Sequence, residues 1–212
     1  MTRLDRLVYG ATRWVIIAVG TVLFRVKIEG RNHIPSAGAC VVAPVHRSNL
    51  DTPLLAFVTP RRMRFMGKDS LWRSPLAWYF TALGGFPVVR GTADRDALRA
   101  CQTILERGEP LVVFPEGTRR SGEKIEDLFD GPAFLSARTG APIVPIGIGG
   151  SEGVMPRGAK LPRPKQLTIV IGPPIHPPVN DGRVPRRVIR ELTEQIETDL
   201  QAVFDRAQAL AR

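Results

Sequence analysis

Seven short runs of apolar and β-branched residues, at 26–29, 39–45, 63–66, 86–89, 111–114, 143–148 and 167–171, punctuate the chain and leave room for helices between several of them. Each is too short for a buried helix and has the composition of a strand. The clearest intervening helix covers 94–107, with Asp94 and Asp96 in its first turn, Arg107 in its last and Gly108 as a stop. Strands that alternate with helices predict an α/β fold, a mostly parallel sheet flanked by helices. Such sheets hold their ligand sites at the carboxyl ends of the strands. Residues 149–165 and 173–185, rich in Gly, Pro or basic side chains, read as loops, and a C-terminal helix begins near Arg186. A length of 212 residues suits one sizeable core, and no repeat or linker divides it.

The segment before the strands is of a different kind. Apolar residues at 4, 7, 8, 11 and 15 follow a helical period, and 14–24 carries no charge. That uninterrupted run of 11 residues is short of the ~20 needed to cross a hydrocarbon core, so a helix lying in one leaflet is the simpler reading. A span over 7–26 would require Arg13 to snorkel. Arg3, Arg6 and Arg13 precede the run, Arg25, Lys27 and Arg31 follow it, and Tyr9 and Trp14 sit where interfacial aromatics are favoured. The alternative is the buried first helix of a soluble domain. A signal peptide is disfavoured, because no small-x-small site follows Phe24. The expected organisation is a membrane-anchoring helix over 1–27 and an α/β domain over 28–212. A second aromatic stretch at 71–83, carrying Trp72 and Trp78 on one predicted helix after Arg61, Arg62 and Arg64, reads as core, as a membrane-facing wall or as the lining for an apolar chain.

Charge and composition narrow the partners. Thirty Lys+Arg against 20 Asp+Glu give +10, which favours a polyanionic surface. Aromatics at 7%, with every tryptophan in an apolar stretch and no nucleic-acid motif, turn that reading toward anionic lipid and away from nucleic acid. Cys40 and Cys101 lie 61 positions apart in apolar surroundings without Cys-x-x-Cys spacing, which fits a reducing, cytosolic exposure. His33, His46 and His176 are scattered, so no metal site is assigned.

His46 directly follows the strand at 39–45, and a helix-like segment starts near Ser48. Ser48-x-x-Asp51 resembles a capping box. Residues five apart on one continuous helix point ~140° apart, so a His46–Asp51 contact needs the turn that such a cap supplies. A histidine held in one tautomer by a carboxylate is a general base, although this spacing alone is equally that of a structural histidine beside a helix cap. No Gly-x-Ser-x-Gly elbow is present, so the attacking hydroxyl would come from the substrate.

Three further blocks follow in order: Gly84-Gly85-Phe86-Pro87-Val88-Val89-Arg90, Phe114-Pro115-Glu116-Gly117-Thr118-Arg119 and Ile143-Val144-Pro145-Ile146. Together with His46-x4-Asp51 the set resembles the phosphatidate-forming 1-acyl-glycerol-3-phosphate acyltransferase family. One departure is Val45, where many members carry asparagine. The resemblance implies the glycerolipid acyltransferase fold, with His46 as base for the acceptor hydroxyl, Asp51 as its orienter, and the second and third blocks as binders of the acceptor's phosphate. The residue chemistry agrees. Arg90 and Arg119 offer two guanidinium forks, Gly117 permits close backbone approach, Thr118 adds a hydroxyl, and Glu116 suits the role of an arginine's partner. Lys68 is a further candidate for the phosphate or the oxyanion, and backbone amides at the Ser48 helix start for the oxyanion.

The implied reaction moves an acyl group from acyl-CoA or acyl-carrier protein, as co-substrate and with no cofactor, to the sn-2 hydroxyl of lysophosphatidic acid. The product is phosphatidic acid, in phospholipid biosynthesis at the cytoplasmic face of the cell membrane. Within the same chemistry the acceptor is alternatively glycerol-3-phosphate or another lysolipid. From a different class, a non-catalytic module that binds the membrane surface also accounts for the basic charge and the anchor.

Overall fold

The computed structural model describes residues 2–88, 95–156, 158–178 and 184–212. Helix α1 (Arg3–Phe24) leads into strand β1 (Lys27–Glu29), followed by β2 (Cys40–Pro44), the single turn α2 (Asp51–Leu54), β3 (Arg64–Lys68), α3 (Ala77–Ala82) and β4 (Gly85–Val88). The second half runs α4 (Arg95–Glu106), β5 (Pro110–Val112), α5 (Gly131–Thr139), β6 (Ile143–Gly149), α6 (Ser151–Val154), β7 (Thr168–Ile171) and α7 (Arg186–Ala211). All seven expected strands are present within a residue or two of their expected bounds.

The strands form one sheet in the order β1-β7-β6-β2-β5-β3-β4. Every pairing is parallel except β6 with β7. β2 and β6 are buried along their whole length, which is why they read as continuous apolar runs. Successive side chains of β2 enter opposite faces of the sheet: Val42 joins one apolar cluster, Val41 and Ala43 the other. α7 lies directly on β6, and Gly147 makes this possible, since a Cβ there would stand 2.2 Å from the Val203 carbonyl oxygen.

One local expectation changes, one is met in its described part, and one helix was not expected. The stretch 71–83 is not one helix: a 3-10 segment (Asp69–Arg73) and α3 are separated at Ser74-Pro75, where Ser74 is extended (ψ 160°) because the following proline disfavours the helical region. The helix expected over 94–107 is seen as α4, and Asp94 lies outside the described residues. α5 was not legible, because its buried positions, Pro132, Ala133, Leu135, Ser136 and Ala137, are small or mixed and give no amphipathic period.

Candidate active site

Three neighbouring parallel strands bring the chemistry-bearing residues to one end of the sheet. β2 stops at Pro44, two residues before His46; β5 stops at Val112, two before Phe114; β3 stops at Lys68. Since β2, β5 and β3 are adjacent and parallel, their carboxyl ends lie side by side. β4, next in the sheet, ends at Val88, and Arg90 lies outside the described residues.

His46 Nδ1 is 3.1 Å from Asp51 Oδ2, with Asp51 fully buried and the His46 side chain 19% exposed. The same carboxylate oxygen accepts from the backbone N–H of Arg47 and of Ser48, each at 2.6 Å. Half of the expected capping box is therefore formed: the carboxylate reaches back to the Ser48 amide. The Ser48 hydroxyl instead donates to the Met155 carbonyl at 3.0 Å and accepts from the Leu50 amide at 3.3 Å. An acceptor at Nδ1 places the imidazole proton there and leaves the Nε2 lone pair available. The ring is held flat against Phe114, with centroids 4.1 Å apart.

Glu116 occupies the other side of this loop. It is fully buried, accepts the His46 backbone N–H on Oε2 at 2.8 Å and pairs through Oε1 with Arg47 Nη1. Arg47 also donates to the His46, Gly122 and Lys124 carbonyls, at 3.3, 3.0 and 2.9 Å, and its guanidinium lies over the Phe204 ring. Glu116 is thus an arginine's partner, as expected, and the arginine is Arg47. Sequence reasoning passed over both Arg47 and Phe114. The signal for Arg47 was the costly carboxylate in the third block, but a chain with 30 basic residues gives no way to choose its partner.

Around this buried network stands an open rim. Gly117 (φ +63°) turns the chain, its Cβ position blocked by the Phe129 ring at 2.5 Å, and Gly117 and Thr118 are exposed. Arg119 is half-buried, Lys68 is exposed, and neither makes an ion pair among the described residues. Four of the backbone amides near this helix start are taken: those of Arg47 and Ser48 by Asp51, that of Leu50 by the Ser48 hydroxyl, and that of Asp51 by the Ser48 carbonyl. Val45 is fully buried in the apolar core, with its amide on the Ile146 carbonyl, so its side chain supports the loop by packing.

The acyltransferase family model matches residues 25–149, more than half of the chain and all four blocks. The chain belongs to the acyltransferase family. Among its relatives are the chloroplastic 1-acyl-sn-glycerol-3-phosphate acyltransferase LPAT1 of Arabidopsis thaliana, 28% identical over 78% of this chain and 48% of that one, and a Chlamydomonas reinhardtii enzyme of the same name, 32% identical over 74% and 48%. The Bacillus subtilis 1-acyl-sn-glycerol-3-phosphate acyltransferase is 25% identical over 71% of this chain and 74% of its own. The chain spans about half the length of the plant and algal relatives. The crystal structure of the 1-acyl-sn-glycerophosphate (LPA) acyltransferase PlsC from Thermotoga maritima superposes with a TM-score of 0.78 at 26% identity, covering 98% of this chain and 82% of that one.

In this acyltransferase-family chain a cavity of about 470 Å³ lies between α1 and β3, within the range of ligand pockets. Thr52 and Pro53, next to Asp51, form part of its wall, and Trp72, Phe80 and Leu83 line it from the aromatic stretch. Trp78 and Leu76 from the same stretch face outward and are exposed, so one side of it lines the cavity and the other is surface. α1 is the described helix long and apolar enough to cross a membrane, and Leu7, Trp14 and Val22 on its outer side are more than 70% exposed. Its inner side packs on the domain through Phe24 in the core, the Tyr9 hydroxyl on the Arg61 carbonyl and the Thr12–Tyr79 hydroxyl contact. Cys40 and Cys101 are free and buried; burial pushes their thiols up to about 11 and about 12, so neither offers a thiolate nucleophile at neutral pH.

Proposed function

We propose that the chain transfers a fatty acyl group from an acyl thioester, carried by coenzyme A or acyl-carrier protein, to the sn-2 hydroxyl of 1-acyl-glycerol-3-phosphate, giving phosphatidic acid. The observation that carries this reading is the His46–Asp51 pair, with no hydrogen bond at Nε2 among the described residues, at the strand ends that also carry Lys68 and Arg119, neither of which has an ion pair among the described residues. Nε2 takes the proton of the acceptor hydroxyl, the oxygen attacks the thioester carbonyl, and collapse of the tetrahedral intermediate expels the thiolate, which recovers the proton from the imidazolium. The bond formed is an ester and the bond broken a thioester, with no acyl-enzyme and no cofactor. Lys68 and Arg119, joined by Arg90, hold the phosphate and so bring the neighbouring hydroxyl to His46. Glu116 and Arg47 hold the loop, and Gly117 and Thr118 shape the phosphate side.

The cavity beside Pro53 houses an acyl chain, and the outer side of α1, with Leu76 and Trp78, rests in the lipid of the cytoplasmic leaflet. Because the inner side of α1 is committed to the domain, a position within one leaflet is the arrangement that leaves both sides satisfied.

The test is phosphatidate formation by the purified chain in mixed micelles, with lysophosphatidate, glycerol-3-phosphate and lysophosphatidylglycerol in competition and acyl-CoA or acyl-carrier protein as donor. Lysophosphatidate is expected to be consumed first. Vesicle binding without ester formation from any acceptor would replace the enzyme by a membrane-surface module.

A further inference from the structure

α1 carries one charged residue that its anchoring role does not use. Arg13 lies on the inner side of the helix with Tyr9, Thr12 and Ile16, the i−4, i−1 and i+3 positions, and all four line the cavity between α1 and β3. The polar groups of its two neighbours are satisfied, Tyr9 by the Arg61 carbonyl and Thr12 by Tyr79. Arg13 Nε is buried and has no hydrogen-bond partner, and no ion pair reaches the guanidinium among the described residues. Among the described residues the cavity wall includes no Asp or Glu, and its other cation, Lys68, has no ion pair.

A buried, unpartnered guanidinium donor on a residue that lines an apolar cavity is costly unless an acceptor arrives, and an anion is the acceptor that best matches its fork. Two unpaired cations on the wall of one apolar cavity describe a ligand with both an anionic head and a hydrocarbon chain. The donor's thioester group is itself uncharged, and its pantetheine arm separates it from the donor's phosphates. We propose that Arg13 is a ligand of the acceptor's phosphate, gripping it with Lys68, so that α1 supplies part of the acceptor site. This rests on the acyl-transfer reading above. It assigns Arg13 to recognition, so neutral single-chain lipids are discriminated against by a residue of the N-terminal helix.

The phosphate could come from the acceptor or from a bilayer phospholipid, and the experiment separates them. Arg13→Gln and Arg13→Lys are compared with the unaltered chain in three measurements: KM and kcat for lysophosphatidate, direct binding of lysophosphatidate and of monoacylglycerol, and partition onto phosphatidylglycerol vesicles. Arg13→Gln is expected to raise KM about tenfold with kcat within about twofold, to erase most of the preference for lysophosphatidate over monoacylglycerol in binding, and to leave vesicle partition unchanged; Arg13→Lys recovers part of the loss. Unchanged KM and binding preference would overturn the assignment. A loss of vesicle partition that accounts for the whole rise in KM would overturn it in favour of a bilayer phosphate. If the unaltered chain forms no phosphatidate, the acyl-transfer reading fails, while the binding comparison still decides the role of Arg13.

Discussion

Glu116 and Arg119 stand three residues apart in one turn. Glu116 is fully buried and committed to Arg47 and the His46 amide, whereas Arg119 is half-buried and makes no hydrogen bond or ion pair among the described residues. The same contrast separates Asp51, with three donors on one oxygen, from Lys68, exposed at the end of β3 and without an ion pair among the described residues. The interior half of the site is bonded to protein throughout except at Asp51 Oδ1, and it fixes the imidazole. The rim cations Lys68 and Arg119 have no ion pair among the described residues and are left for a ligand. A preformed base beside an unfilled cation rim suits a reaction in which positioning of the acceptor supplies much of the rate.

That division can be broken at either half, and the effects should differ in kind as well as in size. Asp51→Asn, which removes the carboxylate behind His46, is expected to lower kcat by ~10²–10⁴-fold with the circular dichroism spectrum retained. Glu116→Gln leaves the buried Arg47 guanidinium without its counter-charge; unfolding in urea should show a loss of about 3 kcal/mol, with kcat falling and KM for lysophosphatidate little changed. Arg119→Gln reverses that pattern: KM rises about tenfold, equivalent to ~1.4 kcal/mol, while stability stays within about 0.5 kcal/mol. Ser48→Ala removes the hydroxyl link to the Met155 carbonyl and is expected to cost about 1 kcal/mol of stability with KM unchanged. If Glu116→Gln raised KM and Arg119→Gln lowered stability, the interior and the rim would have been assigned the wrong way round.

The parts of the molecule most legible in the sequence are those whose signal is local. β2 and β6 are buried on both faces and read as apolar runs, and His46, Asp51 and Arg119 stood out because the four blocks taken together resemble those of a known family, the His-x4-Asp spacing alone being equally that of a structural histidine. What escaped depends on pairs distant along the chain. Arg47 meets Glu116 69 positions away, and His46 stacks on Phe114 from another strand end. The split of the 71–83 stretch was in principle readable from Pro75, whereas the antiparallel β7 was not, since apolar runs carry no direction. That two of the amides near the Ser48 helix start are engaged was visible only in three dimensions: Asp51 turns back and accepts from both.

The central claim is that His46 is the base for the acceptor hydroxyl, and single-turnover formation of phosphatidate from lysophosphatidate and an acyl thioester tests it most directly. The account predicts that His46→Ala folds, binds vesicles and binds lysophosphatidate like the unaltered chain, yet forms product at least ~100-fold more slowly. Product formation at the unaltered rate would contradict it.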